Sequence, residues 1–250
     1  YYYYYYCFKF HREIVMAIII GTIWWRISTG TAEHVYSDRF SVINKIVVHC
    51  TARNMNPFAI FEDRRFHYRE RRLNAYSPLA YWLTCWVPQI PIVVGYGFLF
   101  TSIVYILSGL RAGVQYFATY QYFGIMADIV AYFMFSMVTS LCASPYSARH
   151  YLPLLQMTLI TMSGFSEYLP NMQIWVKTTT YGVVSRYIFQ GLVLNELQNN
   201  GNLPESHRYI VELGFTGISI GGCAAMMLLF VGLSMFIYYL ALKYVDFERH

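Results

Sequence analysis

The stretch Phe215-Thr-Gly-Ile-Ser-Ile-Gly-Gly-Cys-Ala-Ala-Met-Met-Leu-Leu-Phe-Val-Gly-Leu-Ser-Met-Phe-Ile-Tyr-Tyr-Leu-Ala-Leu-Lys-Tyr244 carries a single charged side chain, Lys243, beside its end. A helix that crosses a bilayer needs about 20 predominantly apolar residues, and this stretch supplies more. The rest of the chain agrees with a lipid solvent. Of its 250 residues, 57% are hydrophobic, 19% aromatic and 12% charged. A soluble domain carries roughly 25% charged residues and needs them to cover its surface. This sequence has too few, so it reads as an all-α, polytopic membrane protein.

Six spans are expected, at 13–30, 40–61, 78–108, 113–143, 149–166 and 214–244. The second carries several polar residues, and the fifth is short enough to need Arg149 or Tyr151 near its start. Residues 167–213 form a long loop with Pro170, Pro204 and the turn cluster Asn199–Asn202, where Asn-Gly favours a turn. Within it, Trp175–Leu197 reads as short helices on the membrane surface. Residues 1–11 read as a tail. Its Tyr1–Tyr6 run is given no functional weight and is taken as a sequence artefact.

Orientation follows from the basic residues. Arg64, Arg65, Arg69, Arg71 and Arg72 cluster between the second and third spans, and such clusters stay on the cytoplasmic side. Six spans then place both termini inside, in agreement with Lys9, Arg12, Lys243 and Arg249, and the loop 167–213 outside. The net charge of +5 sits between apolar runs rather than on an aromatic-interleaved basic patch, which excludes nucleic acid as the partner. None of the five cysteines forms a CxxC pair and no N-glycosylation sequon or cleavable signal sequence is present.

No phosphate-binding loop occurs, so these residues do not cradle ATP. Gly217-Ile-Ser-Ile-Gly221 matches a hydrolase pattern that requires a strand–turn–helix setting. In an apolar helix it reads instead as small residues packing helix on helix. The seven histidines are scattered without an i, i+4 pair, so no metal site is expected and the chain is not read as an enzyme.

An ordered set of motifs carries a family resemblance. Phe61-Glu-Asp-Arg-Arg-Phe-His-Tyr-Arg-Glu70 is followed by Tyr76-Ser-Pro-Leu-Ala-Tyr81, then Pro88, Pro91 and Ile103-Val-Tyr-Ile-Leu-Ser-Gly-Leu110. Further on come Ser163-Gly-Phe165, Leu169, Trp175, Tyr181, Arg186-Tyr187, Phe189, Leu192 and Asn195-Glu196. Together with Gly21-Thr-Ile-Trp24, the set resembles the transmembrane domain of G-subfamily, ABC-2 type half-transporters over roughly 12–245. The resemblance implies a domain at 12–250 with a cytoplasmic coupling helix and an outer re-entrant loop between helices five and six. It implies dimerisation with a second transmembrane domain, identical or different, and a nucleotide-binding domain holding ATP and Mg outside these residues. The implied function is ATP-driven export of amphipathic or lipid-like molecules from a plasma or organelle membrane. The alternative is a transporter-derived structural subunit of a larger membrane complex. Two departures stand out: Lys177 and Thr178 replace a common second tryptophan near Trp175, and the second span is unusually polar.

The resemblance assigns Arg64, Arg65, Arg69, Glu70, Arg71 and Tyr76 to the coupling segment. There the arginines would pair with a partner's carboxylates and Glu70 would tie the helix to its neighbours. Lys45, His49 and Arg53 recur at i, i+4 and i+8, with Asn56 three further on, which puts them on one helical face. A charge at the bilayer centre costs about 2.5–3.5 kcal/mol on insertion scales. This face is therefore either the wall of a substrate cavity or paired, with Asp128 of the fourth span as the available acid. Met157, Ile160 and Thr161 share a face of the fifth span that the resemblance turns to the same cavity. Phe165 and Ser166 stand where the family closes an outer gate.

Overall fold

A computed structural model describes residues 2–27, 32–55, 61, 64, 67, 69, 70, 73, 76–198, 200, 203 and 205–245, the side chains of 2–7, 32 and 33 excepted. Every regular element among them is helical. The long helices are α1 (Tyr2–Ile23), α2 (Ala32–Ala52), α4 (Gln89–Ser108), α5 (Val114–Leu141), α6 (Pro145–Thr161) and α10 (Ile220–Tyr244). The shorter ones are α3 (Pro78–Trp86), α7 (Ile174–Thr180), α8 (Val184–Leu197) and α9 (Ser206–Glu212), with a 3-10 turn at Leu169–Asn171. Three stretches are long and apolar enough to cross a membrane: Pro78–Ser108, Val114–Leu141 and Ile220–Tyr244. The protein is therefore an integral membrane protein of helical type.

Local sequence explains the boundaries. Ser77 opens α3: its hydroxyl accepts from the Ala80 amide at 3.3 Å, and Pro78 takes the first turn, where its missing N–H is harmless. Val87 and Pro88 keep helical dihedrals between α3 and α4. Pro88 cannot donate to the preceding turn, so α3 and α4 form one kinked rod. At its other end Gly109 adopts φ 64°, and its α-carbon side lies against the Arg26 backbone. A Cβ there would strain the turn in which Arg26 and Ile27 donate to the Leu107 and Ser108 carbonyls, each at 3.0 Å. Ser144 and Ser147 form a reciprocal capping box that starts α6.

Helix α5 is central, packed against α2, α4, α6, α8 and α10, while α1 lies along α4. Helix α10 turns Cys223, Met227, Ser234, Tyr238 and Ala241 inward and leaves Leu229, Leu233 and Phe236 exposed. That is one covered and one bare face of an apolar rod.

Several boundaries differ from the sequence-based expectation. α1 begins at Tyr2, so the residues read as a tail at 1–11 are helical from their second position. Tyr and Phe tolerate a helix, and Glu13, at the expected start of the span, is paired with Arg12, His49 and Arg53. α2 begins at Ala32 rather than 40, because Arg39 finds a carboxylate, Glu196, inside the protein. Every residue of α8 is buried, so it is not a surface helix. Ser219 caps α10 by accepting from Gly222 N at 3.2 Å. The Gly217–Gly221 pattern therefore marks a helix start, and a methyl at either glycine would meet nothing within 4 Å. Among the described residues of this chain, the close helix contact expected there does not form.

Candidate functional site

Four helices meet at Arg53, one residue past the last turn of α2. Its amide still donates to His49 O at 3.1 Å, which fixes its direction. Its guanidinium Nε donates to Asp128 Oδ1 of α5 at 2.7 Å, and Nη2 donates to Oδ2 of the same carboxylate. Nη1 donates to Glu13 Oε2 of α1 at 3.0 Å. The Arg53 side chain is 3% exposed, and those of Glu13 and Asp128 are fully buried. His49 Nε2 lies 2.7 Å from the same Glu13 oxygen, and Arg12 donates to the other at 2.8 Å. Asn54 donates to the Asp128 carbonyl at 3.2 Å. From α4, Phe100 stacks on the His49 ring at 4.1 Å and lies beneath the Arg53 guanidinium at 5.8 Å. Gly97 leaves the room this requires: a Cβ on it would stand 2.7 Å from Asp128 Oδ2.

The expected cationic face of α2 is therefore divided. His49 and Arg53 turn toward α1, α4 and α5, whereas Lys45 is exposed. Asn56 lies outside the described residues. On α6, Met157 and Thr161 are exposed and Ile160 is half-buried. The opposite side of α6 docks on α2 through Gln156, whose amide donates to Thr51 Oγ1 at 2.8 Å. Phe165 is half-buried and meets Phe189 of α8 edge-on at 5.9 Å, with Ser166 exposed beside it.

Of the coupling residues, Arg64 is spent inside the protein. It is 5% exposed, stacks on Phe61 at 4.1 Å and donates to the Cys142 and Ala143 carbonyls at 2.8 and 3.1 Å. Those carbonyls lie just past the end of α5, and Arg64 also donates to Ser140 O in its last turn at 3.4 Å, where a cation complements the helix dipole. The expectation that Arg64 reaches a partner's carboxylate is thus corrected. Arg69 is exposed; Glu70 and Tyr76 are half-buried. The Tyr76 phenol is pushed up to about 12 by burial and by the hydrogen bond it shares with Glu70. Arg65 and Arg71 lie outside the described residues.

Two features escaped the sequence reading. Glu13 was hidden beside Arg12 at what looked like the start of a span; a lone acid leading an apolar run was the available signal. The second is a buried pair between Arg39 of α2 and Glu196 of α8. Glu196 also accepts from the Arg111 amide at 3.0 Å, which ties α8 to the turn between α4 and α5.

The sequence matches the family model described as ABC-2 type transporter over residues 2–197. ABC transporter G family member 31 of Arabidopsis thaliana is 24% identical over 249 residues, which cover 94% of this chain and 17% of that protein. ABC transporter G family member 2 of Dictyostelium discoideum is 24% identical over 186 residues, 74% of this chain and 14% of that protein. The Candida glabrata protein named Pleiotropic ABC efflux transporter of multiple drugs PDH1 is 24% identical over 193 residues, 77% and 12% respectively. The chain thus spans less than a fifth of the length of each of these relatives. The match to the family spans α1 through α8, and the chain belongs to the ABC-2 type transporters as a G-subfamily transmembrane domain.

Proposed function

We propose that this chain is the membrane-spanning part of an ATP-driven exporter of amphipathic or lipid-like molecules. In this reading α1, α2, the α3–α4 rod, α5, α6 and α10 each cross the membrane, both ends of the chain face the cytoplasm, and α8 enters from the outside without crossing. A nucleotide-binding domain outside these residues binds ATP and Mg, and a second transmembrane domain completes a dimer. The observation that carries the reading is the family match over residues 2–197. A relative named as an efflux transporter of multiple drugs supports the substrate class.

The side-chain geometry refines which residues serve transport. Arg53 is neutralised by Glu13 and Asp128, and His49 is hydrogen-bonded to Glu13, so both brace the helices rather than attract an anion. Lys45 and the exposed Met157 and Thr161, with Ile160 beside them, are left to line the cavity, and Phe165 with Ser166 to close its outer end. Arg69 and Glu70 transmit the movement of the ATPase domain.

The test is efflux of rhodamine 6G from energised cells expressing the chain with the coding sequence that flanks it in its gene. Vanadate-sensitive efflux is expected, and Arg69→Ala and Glu70→Ala should abolish it while ATP hydrolysis continues. A complex that assembles, hydrolyses ATP and moves neither this dye nor a fluorescent phospholipid would replace the exporter with a structural subunit.

A further inference from the structure

Beneath the coupling segment the fold leaves a cavity of about 540 Å³, within the roughly 300–1,000 Å³ of small-ligand sites. It opens where the α3–α4 rod bends at Pro88, and its wall includes His67, Glu70, Tyr76, Tyr81 and Cys85. Three of these are rings in nearly parallel planes. His67 stacks on Tyr81 at 3.8 Å and 11°, and on Tyr76 at 5.7 Å and 22°. Among the described residues of the wall, Glu70 is the only carboxylate, and no lysine or arginine joins it. The Tyr76 phenol stays protonated at neutral pH, its pKa being held near 12, so this pair presents one negative charge and one neutral hydroxyl.

We propose that this cavity is a binding site for organic cations of the substituted-ammonium class. Its chemistry selects them. Aromatic faces attract a cation through the ring quadrupole and favour weakly hydrated ammonium groups. A half-buried carboxylate adds an attraction that an anion feels as repulsion. The apolar part of the wall accommodates alkyl or aryl substituents, which a metal ion lacks. The position gives such a ligand leverage, because it would sit between the Arg69-Glu70 segment and the bend of the rod. The proposal does not rest on export, since a structural subunit would contain the same cavity.

Cys85 supplies the probe. The residue lines the cavity and is half-buried. In membranes opened to reagent on both faces, the full chain is treated with the cationic trimethylammonioethyl methanethiosulfonate or its anionic sulfonatoethyl counterpart. Modification is followed on the peptide that contains Cys85, and each rate is normalised to that of a free thiol in solution. One carboxylate at contact distance speeds the cation and slows the anion about fivefold each, so the cationic reagent should react about 25-fold faster, and Glu70→Gln should bring the ratio near one. Benzyltrimethylammonium should slow modification of wild-type Cys85 by neutral N-ethylmaleimide, and benzenesulfonate should not. Equal normalised rates, an anionic preference, or a thiol that no reagent reaches would each overturn the proposal. Equal protection by the two aromatic ions would do the same, and that arm stands even if Glu70→Gln fails to fold.

Discussion

Removing two carboxylates and a guanidinium from water is costly, and the cost is recovered only while all three stay together. The Glu13–Arg53–Asp128 group meets that condition, with Arg53 bonded to both acids. Breaking a buried pair by removing one partner costs about 3–5 kcal/mol. Arg53→Gln should do worse than Asp128→Asn, because it leaves the buried Asp128 carboxylate with Asn54 alone while Glu13 keeps His49 and Arg12, whereas the second leaves Arg53 with Glu13. The exchange Arg53→Asp with Asp128→Arg should recover part of the loss. Thermal unfolding in lipid nanodiscs would rank the four proteins; equal melting of Arg53→Gln and wild type would refute the bracing role. Tyr76 permits a second test, in pH. Its folded pKa lies above the ordinary value of 10.0, so its contribution is full below that pH and fades as pH rises through about 12. Tyr76→Phe should cost about 0.5–1.5 kcal/mol at neutral pH, and the gap to wild type should close in strong alkali. At this scale the sequence revealed the polar face of α2 and named Asp128 as an available acid. It did not reveal Glu13, because pairing across 40 positions leaves no trace in helical periodicity.

Helices are placed by close approaches as well as by charge. α8 lies so near α5 that a Cβ on Gly191 would stand 2.2 Å from the Phe123 ring. Gly191→Ala should therefore cost about 1–3 kcal/mol through overpacking, and Phe123→Leu should relieve it in the double variant. A double-mutant cycle on melting temperature checks the coupling, and strict additivity would mean that the two residues do not meet. The contact also bears on what was legible. α5 carries Asp128 and α10 Lys243 as their only charged side chains, and the expected spans 113–143 and 214–244 lie close to the observed helices. α8 carries Ser185, Arg186, Gln190, Asn195 and Glu196, so the sequence read it as a surface helix. Each of these residues has a partner inside the fold. Polar residues satisfied by tertiary contacts look, in sequence, like residues satisfied by water. The same effect displaced the start of α2, where Arg39 meets Glu196.

For the whole molecule, the number of crossings decides how it sits in the membrane, and α6 is the element on which that number turns. Among the described residues, only the α3–α4 rod, α5 and α10 are apolar and long enough by composition alone. α6 has 17 residues and contains Arg149, Gln156 and Pro153. At 1.5 Å per residue it extends about 25 Å, short of the roughly 30 Å of a hydrocarbon core. Two features argue that it crosses nonetheless. Gln156, three residues past its midpoint, is bonded to Thr51 of α2 rather than left to lipid, and an intramembrane polar group must be paired within the protein. The backbone beyond Thr161 continues through Met162 and Ser163, whose amides donate to Thr158 and Ile160 carbonyls, and this adds most of the missing length. The arginine cluster anchors the segment around Arg69 to the cytoplasmic side. Between Arg69 and Glu205 lie the rod, α5 and α6. If all three cross, the two positions are on opposite sides; if α6 does not, they are on the same side. Both residues tolerate the probe: Arg69 is exposed, and Glu205 is exposed at φ 58°, where a cysteine at the helix start costs little beyond the strain already present. Single cysteines at these positions, treated with a membrane-impermeant maleimide in sealed right-side-out vesicles, should differ: Glu205→Cys labels at once and Arg69→Cys only after permeabilisation. Labelling of both from one side would remove α6 from the list of crossings, and with it the six-span topology.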